Sequence, residues 1–170
     1  MMTTAVADRS HRLRRVQPFR LGPAQYGARV LQVLVDADNV HRSRLVALLD
    51  ALPAGAVVVA AGRPEVLDPL SWPLGSTLSP SSGWQRADLE LAGAYQPDAG
   101  PLILATGDGD FLQLARRHPG PVLVVSEAPS ARFRDVATVL DPVHDGAGAI
   151  RAWLDAVTDS PGLGSCDAEG

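Results

Sequence analysis

VLQVLVDADNV, residues 30–40, joins a short apolar run to an abrupt polar turn. The run covers 30–35 and is rich in β-branched residues, which predicts a buried strand that is followed by a loop. Strands with continuous apolar character are typical of parallel sheets that are covered on both faces. This stretch therefore favours an α/β fold with Asp36 at the carboxyl end of a strand.

Similar apolar runs recur along the chain and alternate with helical patterns. Further strands are predicted at 56–60, 101–105 and 121–125, with a weaker one at 139–140. Helices are predicted around 45–52, 87–95, 111–118, 131–137 and 150–157. The stretch 62–83 is rich in Pro, Ser and Gly and is predicted to be a long irregular connection. The alternation predicts a three-layer sandwich, in which helices flank a central, mostly parallel, Rossmann-like sheet.

Charge and composition divide the chain into three parts. Residues 1–28 are predicted to be a basic, flexible arm, 29–158 the folded domain and 159–170 a disordered tail. Residues 1–29 hold six arginines and one acid, for a charge of +5, and the remainder holds nine arginines and eighteen acids, for −9; together they give the net charge of −4. The arm could contact nucleic acid, although a solvated tail without a partner explains its charge equally well.

Cysteine content and hydropathy suggest the compartment. Cys166 is the one cysteine, so the chain cannot form an internal disulfide framework or a cysteine-based metal site. No apolar stretch approaches the roughly 20 residues of a membrane helix, and the N-terminus lacks the apolar centre of a secretory signal. We expect a cytoplasmic protein without a membrane partner. The sequence does not determine its oligomeric state.

Four aspartates are candidates for a metal site. Asp36 follows the first strand, Asp108 and Asp110 follow the strand at 101–105, and Asp88 lies in the first turn of a helix. Ligands of parallel α/β sheets bind beyond the carboxyl ends of the strands. Carboxylates that converge there repel one another unless a cation offsets the charge. Oxygen ligands favour Mg²⁺ or Mn²⁺ over zinc.

Each of these residues also has a purely structural interpretation. Asp110 could cap the next helix in a capping box with Gln113, and Asp88 could be an exposed acid favoured by the helix dipole. Asp38 and Asn39 could form an Asx-type turn. Four arginines flank the loops and could hold phosphates or simply face solvent: Arg42, Arg44, Arg63 and Arg86.

Several of these stretches resemble a known family. VLVDADNV at 33–40 resembles the opening strand of NYN domains, which belong to the PIN-like ribonuclease superfamily and carry Asp-x-x-Asn there. RADLELA at 86–92 resembles their middle helix, and LATGDGDFLQLAR at 104–116 resembles their Ser/Thr-Gly-Asp-x-Asp-Phe signature. SARFRDVATVL at 130–140 is similar to their later helix and final strand. The resemblance spans roughly 30–141 in the expected order.

The resemblance implies a PIN-like fold and a metal-dependent nuclease that acts on RNA and leaves a 5′-phosphate and a 3′-hydroxyl. Asp36 and Asp108, with Asp110, would be the metal ligands, and Asp88 would complete the catalytic cluster. Asn39, Thr106 and Arg86 would contact the substrate. DNA remains a possible substrate, because no feature of the sequence reads a 2′-hydroxyl.

Two other classes of function stay open. The first is a catalytically silent RNA-binding or regulatory module, which fits the few aromatic residues and the non-acidic Ala94 and Thr138 at positions where NYN domains often carry acids. The second is a haloacid-dehalogenase-like phosphatase, because Asp36 and Asp38 have its Asp-x-Asp spacing. That chemistry, like that of phospho-receiver domains, usually needs a lysine, and this chain has none.

Overall fold

A computed structural model describes residues 30–81, 86–146 and 148–159. The predicted basic arm, and all but the first residue of the predicted tail, lie outside these described residues. None of the described helices has the length and apolar character that crossing a membrane requires.

Strands and helices alternate along the described chain. The strands are β1 (Gln32–Asp36), β2 (Val57–Gly62), β3 (Thr77–Pro80), β4 (Leu102–Ala105), β5 (Val122–Val125) and β6 (Thr138–Leu140). The α-helices are α1 (Arg42–Ala51), α2 (Pro64–Leu67), α3 (Arg86–Ala94), α4 (Leu112–Arg117) and α5 (Ala149–Thr158). Two short 3₁₀ helices, Gly109–Phe111 and Ala131–Asp135, precede α4 and β6.

The six strands form one all-parallel sheet in the order β3-β2-β1-β4-β5-β6. In the pairing register, Asp36 lies beside Ala61 of β2, and Val35 lies beside Ala105 of β4. The chain winds outward from β1 in both directions, so the strand order reverses between β1 and β4. Open sheets of this type bind ligands beyond the carboxyl ends of the strands at that reversal, where Asp36 and Thr106 lie.

Apolar side chains on the two faces of the sheet build two separate core layers. On one face, residues such as Val33, Val35 and Ile103 pack beneath α1, α2 and α5. On the other face, Leu34 and Leu104 pack beneath α3, α4 and the second 3₁₀ helix, with Phe133 fully buried there. The predicted α/β three-layer sandwich is therefore confirmed.

The prediction of an irregular connection over 62–83 is wrong in part. This stretch contains α2, and it contains β3, which pairs with β2 at one edge of the sheet. The residues of β3, Thr-Leu-Ser-Pro, are mostly exposed because the strand has a neighbour on one side only. A short edge strand lacks the apolar run by which buried strands are predicted.

Candidate functional site

Asp36 is the buried acid at the centre of the carboxyl edge. It ends β1, between β2 and β4, and only 2% of its surface is exposed. The side-chain amide of Asn39 and the hydroxyl of Thr106 both donate hydrogen bonds to its Oδ2 atom, the latter over 3.3 Å. These two donors compensate part of the cost of burying a charged carboxylate.

The pKa of Asp36 is nevertheless raised above its ordinary value. Burial is the largest cause, because it removes water from the charged form. The hydrogen bonds from Asn39 and Thr106 act in the opposite direction, and the negative charge of Asp88 raises the pKa further. The carboxylate of Asp36 thus lies within electrostatic reach of Asp88.

Thr106 connects Asp36 to the loop that carries the next two aspartates. Thr106 directly follows β4 and is as buried as Asp36, with 2% of its surface exposed. While its Oγ1 donates to Asp36, the same oxygen accepts a hydrogen bond of 3.0 Å from the backbone N–H of Asp108. The position of the acidic loop is therefore coupled to the buried carboxylate.

Asp108, rather than Asp110, caps the helix that follows this loop. Its Oδ1 accepts a 3.0 Å hydrogen bond from the backbone N–H of Asp110, at the start of the first 3₁₀ helix. Phe111 is the N-cap of α4 and makes no side-chain cap bond, so the capping interpretation of Asp110 with Gln113 is wrong. The extra 3₁₀ turn moves Asp110 inside the helical segment, which leaves its carboxylate exposed.

Three aspartates form a group that could hold a metal ion: Asp88, Asp108 and Asp110. Each contributes one carboxylate oxygen, and these oxygens lie within 4.8 Å of one another. We call them the acidic trio. The pKa of Asp88 is raised, first by partial burial and then by the charges of Asp108 and Asp110. Mutual repulsion of this kind is what a bound cation would relieve.

Asp36 is not a member of the acidic trio. It lies at the end of β1, whereas Asp88 reaches the carboxyl edge from the first turn of α3, which packs against β1 and β2. The four predicted aspartates are therefore present at one end of the sheet as three clustered, partly exposed carboxylates and one buried carboxylate. Direct coordination by Asp36 remains a prediction.

The predicted substrate contacts occupy different environments. Asn39 is exposed, although its side-chain amide donates a hydrogen bond to Asp36. Thr106 is buried, and its hydroxyl both donates and accepts within the protein. Arg86 is the exposed first residue of α3, and it forms no ion pair with any described residue.

A second loop packs against the acidic loop, and our sequence reasoning did not single it out. Ser126 directly follows β5 and is 2% exposed. A Cβ atom placed on Gly107 would lie 3.1 Å from Ser126 Oγ and 3.3 Å from the carbonyl oxygen of Ala128, and the N–H of Ser130 donates to the Gly107 carbonyl. Ser126 directly follows β5, just as Thr106 directly follows β4. This shared position of a hydroxyl residue after a buried strand is the sequence signal that could have identified Ser126.

Two of the arginines that could hold phosphates are already paired with acids. Arg63 donates to Asp38 over 3.0 Å. Arg44 bridges Glu127 and Asp141, with both contacts at 2.8 Å. These pairs reduce the positive charge that either arginine can offer to a phosphate.

Comparisons with protein-family models, with curated proteins and with solved structures find no match to this chain.

Proposed function

We propose that the protein is a metal-dependent ribonuclease with a PIN-like fold, whose active site contains the acidic trio and Asp36. The acidic trio is the observation that carries this proposal. It lies at the carboxyl edge of an all-parallel sheet, where α/β proteins bind their ligands. The motifs that contain these acids, at 33–40, 86–92 and 104–116, are those that resemble NYN domains.

The donor set of the site fits Mg²⁺ or Mn²⁺. The trio presents three carboxylate oxygens and no sulfur or imidazole ligand. Hard divalent cations prefer such oxygen ligands, whereas zinc prefers cysteine and histidine. A divalent cation held there would supply a Lewis acid for cleavage of a phosphodiester bond.

Each of the predicted site residues would have a defined task. Asp88, Asp108 and Asp110 would hold the cation, and Asp36 would add negative charge close to Asp88. Asn39 and Thr106 would hold the Asp36 carboxylate in place, and Thr106 would also hold the backbone of Asp108. Arg86, which has no acidic partner among the described residues, would be available for a substrate phosphate.

The ion pair of Asp38 disfavours the phosphatase alternative. In that mechanism the second aspartate of Asp-x-Asp would need to exchange protons near the first. Here both oxygens of Asp38 accept from the backbone N–H of Arg63, and Oδ1 also accepts from its Nε. A role for Asp36 in a nuclease site is therefore favoured over a role as a phosphatase nucleophile.

Cleavage of labelled RNA with Mn²⁺, with Mg²⁺ and with EDTA tests the proposal directly. We expect metal-dependent cleavage that falls by at least about 100-fold in Asp108→Asn, because a direct ligand matters at least as much as an outer-shell partner. Asparagine keeps the oxygen that caps the 3₁₀ helix, so the variant should fold. Asp155→Asn, on the exposed side of α5, is the matched control. Absence of cleavage with either metal would favour the silent RNA-binding module.

Metal binding can be tested separately from catalysis. We expect Mn²⁺ to raise the melting temperature of the wild-type protein, because a ligand that binds only the folded state stabilises it. Asp88→Asn should lose most of this increase. Glu90→Gln removes an exposed acid two residues further along α3 and should retain it. An equal Mn²⁺ effect in both variants would place the metal elsewhere.

A further inference from the structure

A pocket lies next to the proposed active site, at the carboxyl ends of β5 and β6. Its volume is about 610 Å³, within the range of small-ligand sites. Its wall includes Ser126, Glu127, Pro129, Arg134, Val143 and Asp145. We call it the β5–β6 pocket.

The β5–β6 pocket and the acidic loop share one wall. Ser126 lines the pocket, and its hydroxyl oxygen would lie only 3.1 Å from a Cβ atom placed on Gly107, the residue before Asp108. The N–H of Ser130, a few residues further along the same loop, donates to the Gly107 carbonyl. A strand whose phosphate lies at the acidic trio would therefore have this pocket as a neighbouring site.

The charges of the wall argue against a phosphate as the occupant. Glu127, Asp141 and Asp145 oppose two arginines, Arg44 and Arg134. Arg44 forms ion pairs with Glu127 and Asp141. Arg134 is therefore the lining arginine that forms no ion pair among the described residues. A phosphate would meet an excess of carboxylate charge there.

The same wall suits an uncharged ring that carries both donors and acceptors. Glu127 Oε2 already pairs with Arg44, and Asp145 Oδ2 already accepts from the Asp141 N–H. The second oxygen of each carboxylate can accept from ring or exocyclic N–H groups, and the Arg134 guanidinium can donate to ring nitrogens or carbonyls. Pro129, Val139 and Val143 supply apolar surface for the flat faces of a ring. Nucleobases combine these properties.

We infer that the β5–β6 pocket binds one nucleobase of the RNA strand, next to the bond that is cleaved at the acidic trio. The assignment of the base to a substrate strand rests on the proposed function. The pocket itself can be tested without any cleavage.

Binding of mononucleotides to the protein in EDTA provides that test. The probes are GMP, AMP, UMP and CMP, with ribose 5-phosphate as the probe that lacks a base. Backbone amide shifts in the NMR spectrum report the site. We expect saturable binding of at least one nucleotide with shifts at Glu127, Arg134 and Val143, and no comparable binding of ribose 5-phosphate.

Two variants on one 3₁₀ helix separate the pocket from general charge. Arg134→Gln should weaken nucleotide binding by about tenfold, the loss expected for a hydrogen bond from a charged donor. Arg132→Gln removes an exposed arginine outside the pocket wall and should bind as the wild type does. Val143→Asp, which adds charge to the apolar wall, is a second variant that should also weaken binding.

The results distinguish failure of the nucleobase pocket from failure of the proposed nuclease function. Equal affinity in Arg134→Gln and Arg132→Gln, or binding of ribose 5-phosphate as tight as that of the nucleotides, would overturn the nucleobase pocket. Nucleotide binding with no RNA cleavage in Mn²⁺ would keep the pocket and overturn the nuclease. RNA cleavage in Mn²⁺ with no nucleotide binding would keep the nuclease and overturn the nucleobase pocket.

Discussion

The hydroxyl of Thr106 donates a 3.3 Å hydrogen bond to the carboxylate of Asp36, from the end of β4 to the end of β1. Both residues are 2% exposed, so solvent water cannot take the place of either hydrogen-bonding partner. Residues that are 70 positions apart in the chain are thus joined at the point where the strand order reverses. Thr106 also accepts from the Asp108 N–H, which makes it the link between the buried acid and the acidic loop.

Replacement of Thr106 by valine should lower the free energy of unfolding. Thr106→Val keeps the shape of the side chain but removes a donor from Asp36 and an acceptor from the Asp108 N–H. The expected loss is about 1–3 kcal/mol, as for a buried polar group left without a partner. Urea denaturation in EDTA measures it. Thr106→Ser retains the hydroxyl and should lose less; a loss in Thr106→Ser as large as that in Thr106→Val would contradict a dominant role for the hydroxyl.

Replacement of Asp36 by asparagine should stabilise the metal-free protein at neutral pH. The pKa of Asp36 is raised in the folded state from 3.8, mainly by burial. The stability contributed by its protonated form is therefore complete below the unfolded pKa and is lost as pH rises through the folded pKa. Asp36→Asn, which keeps an oxygen for Asn39 and Thr106, should raise the melting temperature at pH 7, by about 2–8 °C for each kcal/mol gained in a domain of this size.

This gain from Asp36→Asn should shrink as the pH is lowered toward 4, because the wild-type carboxyl then becomes neutral as well. Asp155→Asn on α5 serves as the control and should show no such pH-dependent gain. A gain that is the same at pH 7 and pH 4 would rule out the charge of Asp36 as its cause. Loss of activity together with the gain in stability would mark Asp36 as a functional group that costs the fold stability.

Replacement of Gly107 by alanine should disturb the acidic loop. A Cβ at Gly107 would lie 3.1 Å from Ser126 Oγ and 3.3 Å from the Ala128 carbonyl oxygen, closer than ordinary contact. Either these neighbours or the acidic loop must give by a few tenths of an ångström, and we expect a shift of the loop to move Asp108 relative to Asp88. We expect Gly107→Ala to weaken Mn²⁺ binding several-fold in a calorimetric titration. Gly109→Ala is the matched control, because its Cβ would lie 3.5 Å from Ser130 Oγ, and it should bind Mn²⁺ as the wild type does.

Replacement of Arg44 by methionine should destabilise the protein in a pH-dependent way. Arg44 is 16% exposed and pairs with Asp141 and Glu127, and its hydrogen bond is the main cause of the lowered pKa of Asp141. Arg44→Met should cost about 1–3 kcal/mol at pH 7, between the values for exposed and buried pairs. A lowered folded pKa contributes stability above the unfolded pKa, and this is lost as pH falls through the folded pKa.

The difference between wild type and Arg44→Met should therefore diminish below pH 4, as measured by urea denaturation at several pH values. Arg63→Met breaks the more exposed pair with Asp38 and should cost less. A difference for Arg44→Met that does not change with pH would indicate that packing, rather than the ion pairs, is lost.

Most buried strands were predictable because their apolar runs are continuous. The predicted strands at 30–35, 101–105 and 121–125 agree with β1, β4 and β5 to within about two residues. The edge strand β3 was missed because Thr77–Pro80 is mostly exposed and contains a proline, which is typical of a connection. A local sequence pattern does not reveal a strand that is held in the sheet mainly by backbone hydrogen bonds to one neighbour.

The candidate site was predictable in its members but not in its grouping. The sequence placed Asp36 and Asp108 at strand ends, and both lie there. The structure groups Asp108 and Asp110 with Asp88 and leaves Asp36 buried beside them. The orientation of α3 on the sheet brings Asp88 into the group, and packing between distant segments determines that orientation.

The sequence by itself determined the alternation of strands and helices and the presence of acids at the carboxyl ends of strands, because these follow from local hydropathy and turn residues. Only the tertiary structure decided that β1 lies between β2 and β4, that Thr106 contacts Asp36, and that the loop after β5 supports Gly107. Strand order depends on which faces pack together across the whole core. Contacts between segments that are far apart in the chain form only once that packing is complete.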